Sequence, residues 1–204
     1  MNSCTTCKEA IEHCMSTHTF AFAHLYGDEK IMDMHIHNCC EVYYSISGGK
    51  QFLIDHCLYD IRPGDLFLIN QFESHHLTQI DQQTHERIIL SIDPEYLSKL
   101  STGVTNLGHC FSFRDTRMPH QIHLSPKEQN RFMYFIHELH DDGGMGEDLL
   151  DQAIFLELMV FLNRAFAARC TDAAAPAPAP SSNYHAQVDA ILSYINSHIG
   201  EPLT

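Results

Sequence analysis

One stretch limits the folds open to this chain more than any other: residues 34–48, MHIHNCCEVYYSISG. His35, His37 and Glu41 are separated by even numbers of residues. In an extended strand, side chains two apart share a face. A strand regular through Glu41 therefore points two imidazoles and a carboxylate to one side, a set that suits a divalent first-row metal. Gly48 and Gly49 then supply a turn. A second stretch at 61–76, IRPGDLFLINQFESHH, opens on a Pro63-Gly64-Asp65 turn, continues as an apolar strand over 66–69 and delivers His75. That residue is a candidate third imidazole. Tyr43 shares the parity of Glu41 and is expected either to line the ligand site or to pack beneath it. Cys39 has the same parity and the same two readings, pocket wall or small apolar filler.

Short alternating segments surround these two stretches. Phe20 and Phe22 alternate with small residues, and Val42, Tyr44 and Ile46 alternate with Tyr43, Ser45 and Ser47. Residues 52–54 and 58–61 read as a hairpin around Asp55-His56, and 87–92 as a strand ended by Asp93-Pro94. Segments 110–113 and 121–124 are the expected last strands, and 96–100 a short helix or turn. Many short strands closely spaced predict a sandwich or barrel over 20–124. Residues 1–19 read as a loosely structured polar arm carrying a CxxC at Cys4 and Cys7, with Cys14 nearby.

At Ser125 the period changes from two to that of a helix. Ser125-Pro126-Lys127-Glu128 combines an N-cap, a proline at the first helical position and a capping-box glutamate. Phe132, Phe135, Ile136 and Leu139 then form one apolar stripe. A second helix is expected over 147–169. Leu150, Ile154, Leu158, Phe161, Leu162 and Ala165 give it one face, and further apolar residues extend that face almost all round. Such a helix requires more than one neighbour, so 125–170 is read as a helical pair that covers the barrel and joins two copies in a homodimer. Residues 171–183 are an Ala/Pro linker of semi-rigid polyproline character. Residues 184–204 carry one amphipathic helix too small to fold alone, which is expected to open a domain cut short at Thr204.

The chain has 204 residues, with 12 basic against 26 acidic side chains and a net charge of −14. That balance argues against gripping phosphate backbones with these residues alone. No apolar run spans a bilayer and the N-terminus lacks a signal-peptide core, so the expectation is a cytoplasmic chain with no membrane partner, its eight cysteines reduced.

The spacing H-x-H-x3-E-x6-G over 35–48 resembles the first cupin motif, although its leading glycine is displaced, Gly27 lying two residues too far upstream. The Pro63-Gly64-Asp65 turn followed by His75 resembles the second motif as found in sensor domains of AraC-type (arabinose-operon regulator) transcription factors, with Gln71 where that motif carries a proline. The phrase ILSYINSHIGEPLT at 191–204 is similar to the start of the helix-turn-helix domain of the same family.

The resemblance implies a mainly β fold with C-terminal helices: a cupin-like double-stranded β-helix (jelly roll), two packing and dimerisation helices, then a truncated helix-turn-helix. It implies a non-enzymatic, ligand-sensing half of a regulator whose N-terminal arm covers its pocket. DNA would be read by the missing C-terminal part. His35, His37, Glu41, Tyr43 and His75 are the expected binders of a small polar, sugar-like or anionic effector. His35, His37, Glu41 and His75 would ligate one divalent transition metal (Zn, Ni, Fe or Mn), or hydrogen-bond the effector without one. Two rivals stand beside this reading. One is a metal-dependent cupin enzyme, an oxygenase, isomerase or epimerase. The other is a thiol or metal-stress sensor built on Cys4, Cys7 and Cys14.

Overall fold

A computed structural model describes residues 4–27, 34–49, 51–79, 85–112, 120–139 and 144–172. The expected linker beyond residue 172 and the helix at 184–204 lie outside these residues; residues 171–172, the first two of that linker, are instead the end of a helix. The chain opens with helix α1 (Cys7–Thr17), followed by strands β1 (Phe20–Gly27), β2 (Cys40–Ser45), β3 (Gln51–Ile54), β4 (Cys57–Asp60), β5 (Asp65–Ile69), β6 (His75–Gln79) and β7 (His85–Ile92). Helices α2 (Pro94–Leu100) and α3 (His109–Ser112), strand β8 (Gln121–His123) and helices α4 (Pro126–Glu138) and α5 (Glu147–Asp172) complete it. The strands form two antiparallel sheets, one of five strands in the order β1-β7-β2-β5-β8 and one of three in the order β4-β3-β6. This is the expected mainly β jelly-roll arrangement with C-terminal helices.

The period-two pattern sorts the core into two layers, one on each face of the larger sheet. Phe20, Phe22, Val42, Tyr44, Leu66, Leu68, Ile88 and Leu90 point toward the helices. Ala21, Ala23, Tyr43, Phe67, Ile69 and Ile89 point into the barrel, where they meet Phe52, Ile54 and Leu77 of the smaller sheet. On the helical side Phe155 stacks on Phe20 at 4.2 Å and Phe132 packs on Tyr44 at 4.6 Å between ring centroids. Each such fully buried side chain stabilises the fold by about 1.5–3 kcal/mol relative to exposure.

Turn chemistry fixes the register. The β3–β4 hairpin turns on Asp55 at φ 50°, a left-handed position that Asp tolerates. Gly64 adopts φ 85°, and a Cβ there would collide with the side chain of Gln129. Ser125 caps α4 in a complete capping box with Glu128, as the sequence reads. Arg169 of α5 grips the same Glu128 through two N–H···O contacts of 2.7 and 2.8 Å, which ties the two helices together.

Three further expectations are corrected. Within 1–19, the described residues 4–19 are not a loose arm, because 7–17 form α1, capped by Thr6, whose side chain accepts from the Glu9 N–H. Its Ala10 and Cys14 are buried against Ala21, Ala23 and Ile89, and the two small strand residues make the room for it. Within segment 110–113, the described residues 110–112 are not a strand. They belong to the single turn α3, in which the N–H groups of Phe111 and Ser112 donate to Gly108 O and that of Cys110 to Asn163 Oδ1. The third correction concerns residues 35–39, where the strand is not regular: β2 begins only at Cys40, after a bend at Asn38 and Cys39. Among the described residues no helix is long and apolar enough to cross a membrane.

Candidate functional site

Glu41 is the first residue of the site whose position follows from strand parity. On β2 it shares the inward face with Tyr43, and it is 1% exposed. Tyr43 lies deeper, its ring 5.0 Å from Phe52 and 5.8 Å from Phe67, so it forms part of the aromatic layer beneath the site.

The histidines arrive by another route. His35 sits opposite His75 in an isolated antiparallel bridge, each N–H donating to the other's carbonyl at 3.2 and 3.1 Å. Directly opposed residues project their side chains to one face, and the two rings lie 4.2 Å apart between centroids. His37 follows at the bend. Its carbonyl accepts from Phe72 N–H at 2.8 Å, which fastens it to the loop between β5 and β6, and its ring stands 4.8 Å from that of His75. Thus His35, His37, Glu41 and His75 do converge at one end of the barrel interior. A cross-strand pair and a bend bring them there, where the sequence had implied one regular strand.

The His37 and His75 rings are each oriented by a backbone acceptor. His37 Nδ1 lies 2.9 Å from Cys39 O, and His75 Nδ1 lies 2.9 Å from Glu73 O. With Nδ1–H donating to that carbonyl, His75 Nε2 is a lone pair. It is buried without a hydrogen-bond partner, its nearest charged neighbour being Glu41 Oε2 at 3.9 Å. His37 Nε2 lies 3.1 Å from the same oxygen. Cys39 Sγ is 3.3 Å from His37 Nδ1, so the thiol borders the site rather than entering its centre.

The electrostatics follow from these contacts. Burial disfavours an imidazolium at His37, yet hydrogen bonds to the Cys39 and Glu41 side chains and the Glu41 charge outweigh it and raise its pKa to about 10. Burial likewise opposes ionisation of Glu41, but the His37 hydrogen bond and the surrounding imidazoles hold its carboxyl below the usual range. His75 is pushed down, chiefly by burial, and is neutral at pH 7. Without a metal the centre is therefore an imidazolium–carboxylate pair beside a neutral imidazole.

The donor set fits a metal ion. Ligand atoms of His35, His37 and His75 lie within 4.8 Å of one another. Glu41 adds a carboxylate, and two of the rings already have the carbonyl support that metal-ligating histidines require. An ion bound there would displace the His37 proton. Neither group of converging ligand atoms found among the described residues includes a cysteine. Cys14 Sγ donates to Thr19 O at 3.6 Å. The carbonyls of Cys39 and Glu73 escape sequence reading because a backbone acceptor has no residue-type signature.

A groove of about 570 Å³, lined by Lys127, Arg131, Leu156, Val160, Phe161 and Ala165, lies between α4 and α5, and none of the site histidines lines it. Its size marks a crevice between helices, whereas the polar groups that converge are at the barrel end.

Fold and site together define a jelly-roll β-barrel whose polar end gathers three imidazoles and a carboxylate, backed by a helical layer. The chain belongs to the family described as the AraC-like ligand binding domain, which it matches over residues 19–159. Solved structures similar in part include a putative mannose-6-phosphate isomerase from Ralstonia eutropha JMP134, at 13% identity and a TM-score of 0.35 over 37% of this chain and 76% of that one. An RmlC-like cupin from Shewanella frigidimarina NCIMB 400 is 17% identical, with a TM-score of 0.33 over 37% of this chain and 67% of that one. Bacillus subtilis oxalate decarboxylase OxdC is 21% identical, with a TM-score of 0.34 over 37% of this chain and 21% of that one. No curated protein matches the chain.

Proposed function

We propose that this chain is the effector-sensing and dimerising part of an AraC-type transcription regulator. His35, His37, Glu41 and His75 hold one divalent transition ion (Zn, Ni, Fe or Mn), and a small polar effector binds over it. The observation that carries this reading is the buried lone pair of His75 Nε2, which faces the Glu41 carboxylate without a hydrogen-bond partner. Three neutral imidazoles and one carboxylate leave a bound divalent ion with a residual positive charge. An anionic or hydroxylated effector is therefore favoured over an apolar one. Tyr43 supports the site from below.

The loop that holds His37 and His75 joins β5, in the larger sheet, to β6, in the smaller. An effector that binds two arrangements of this loop with different affinity shifts their populations by that difference. Two copies meet through α5, whose Leu149 and Leu150 are 66% and 65% exposed. Contact with DNA is assigned to the segment that 184–204 begins, since the net charge of −14 makes this chain a poor partner for phosphate.

The test is thermal unfolding of chelator-stripped, tag-free protein with Zn²⁺, Ni²⁺ or Mn²⁺ added singly. At least one ion is expected to raise Tm in wild type, and the rise is expected to vanish in His75→Ala. An equal rise in both proteins would place the ion elsewhere and defeat the reading.

A further inference from the structure

A second set of ligand-type side chains converges outside the histidine end. Asp55, Glu73 and His120 each bring a ligand atom to within 4.8 Å of the others. They come from three places distant in sequence: the β3–β4 turn, the β5–β6 loop and the residue before β8.

Each residue is held from behind. Asp55 N–H donates to Ser74 O at 2.6 Å, and Asp55 Oδ1 accepts from Ser74 N–H and Oγ–H at 3.0 and 3.2 Å. Glu73 Oε2 accepts from Asn70 N–H at 2.7 Å. His120 O accepts from Leu68 N–H at 2.9 Å. Its own N–H donates to Tyr59 Oη at 3.3 Å, and its Nδ1 lies 2.9 Å from the same oxygen. The phenol oxygen can accept from both nitrogens, which leaves Nε2 as a lone pair.

The ring is only 8% exposed, and Nε2 is buried with no hydrogen-bond partner. It stands 3.3 Å from Glu73 Oε2, close enough for charge attraction but without hydrogen-bond geometry. A buried nitrogen lone pair aimed at a carboxylate is an unfavourable arrangement that a cation between them relieves.

We propose that Asp55, Glu73 and His120 form a second divalent-cation site. Two carboxylates balance the charge of the ion, and the imidazole selects a first-row transition ion over Mg²⁺ or Ca²⁺, which prefer oxygen ligands. Water completes the coordination on the exposed Asp55 side. Glu73 links this site to the first without belonging to it: its carboxylate faces the second site, while its carbonyl accepts from His75 Nδ1. An ion here braces the loop from which His75 is positioned.

Mn²⁺ is the probe, because thiolates bind it poorly and the eight cysteines then contribute little. Bound Mn²⁺ is counted by electron paramagnetic resonance on chelator-stripped, tag-free full chain. Asp55→Asn sits in an exposed turn and keeps the Oδ1 acceptor, and Glu73→Gln leaves the Glu73 carbonyl in place, so both variants fold. Each is expected to lose one bound ion, or on the order of tenfold in its affinity, relative to wild type. His37→Ala retains that ion whether or not the first site takes Mn²⁺, so the two assignments fail separately. Wild-type protein that binds no Mn²⁺, or variants at 55 and 73 that bind it as wild type does, would overturn the proposal.

Discussion

Glu41→Gln keeps the shape of the central group and removes its charge. In metal-free protein the Glu41 carboxylate lies 3.1 Å from His37 Nε2 and helps hold that imidazole at a pKa of about 10 against its burial. The unfolded value is near 6.5, so the folded pKa is the higher one. The stabilisation is then fully present below pH 6.5 and is lost as pH rises toward 10. A tenfold gain in proton affinity on folding is worth about 1.4 kcal/mol, so wild type gives up roughly 3–5 kcal/mol across that window. In Glu41→Gln the ring loses its counter-charge and keeps the Cys39 contact. The variant is therefore expected to be less stable near pH 6.5 by part of that ~3–5 kcal/mol, with the gap closing as pH climbs. Urea unfolding in the presence of a chelator, at half-unit steps from about pH 6.5 to 9.5, measures this. Other titrating groups are common to both proteins and cancel in the difference. A gap that stays constant over the whole range would refute the ion-pair account of the site.

Two further outcomes are expected. Glu128, held at a pKa of about 2 first by its hydrogen bond to Arg169, has a folded value below its ordinary 4.5. The α4–α5 tie is thus present above pH 4.5 and lost as pH falls toward 2; for this partly solvated pair the loss is ~1 kcal/mol, and Arg169→Ala should flatten acid unfolding over that range. Leu150→Glu puts a charge on the exposed part of α5 and is expected to convert a dimer to monomer in light scattering, with unfolding of the barrel unchanged; a dimer unaffected by the change would exclude this surface.

Much of this fold is written in local chemistry. The alternation at 40–45, the Asp55 turn, the Gly64 turn and the Ser125 capping box each depend on near neighbours in sequence, and each appears where the sequence places it. What the sequence hides is tertiary. Helix α1 has little apolar surface of its own, and its stability comes from the recess that Ala21 and Ala23 leave on β1. The four-residue α3 is too short to show a period, and a hydrogen bond from Cys110 N–H to Asn163, 53 residues away, fixes it. At the site, parity correctly turns Glu41 and Tyr43 inward. It does not account for His35 and His37, because the bend at Asn38 and Cys39 breaks the strand that parity assumes. Their convergence instead depends on the pairing of His35 with His75, a contact between residues far apart in the chain.

The most direct test of the central claim is anomalous diffraction from crystals of the protein grown with Zn²⁺ or Co²⁺. The expected result is a peak bonded to nitrogen atoms of His35, His37 and His75 and to the Glu41 carboxylate, at about 2.0–2.2 Å from each. The peak should be absent from His75→Ala. A metal-loaded crystal with no peak among these four residues would contradict the assignment of the barrel end as the binding site.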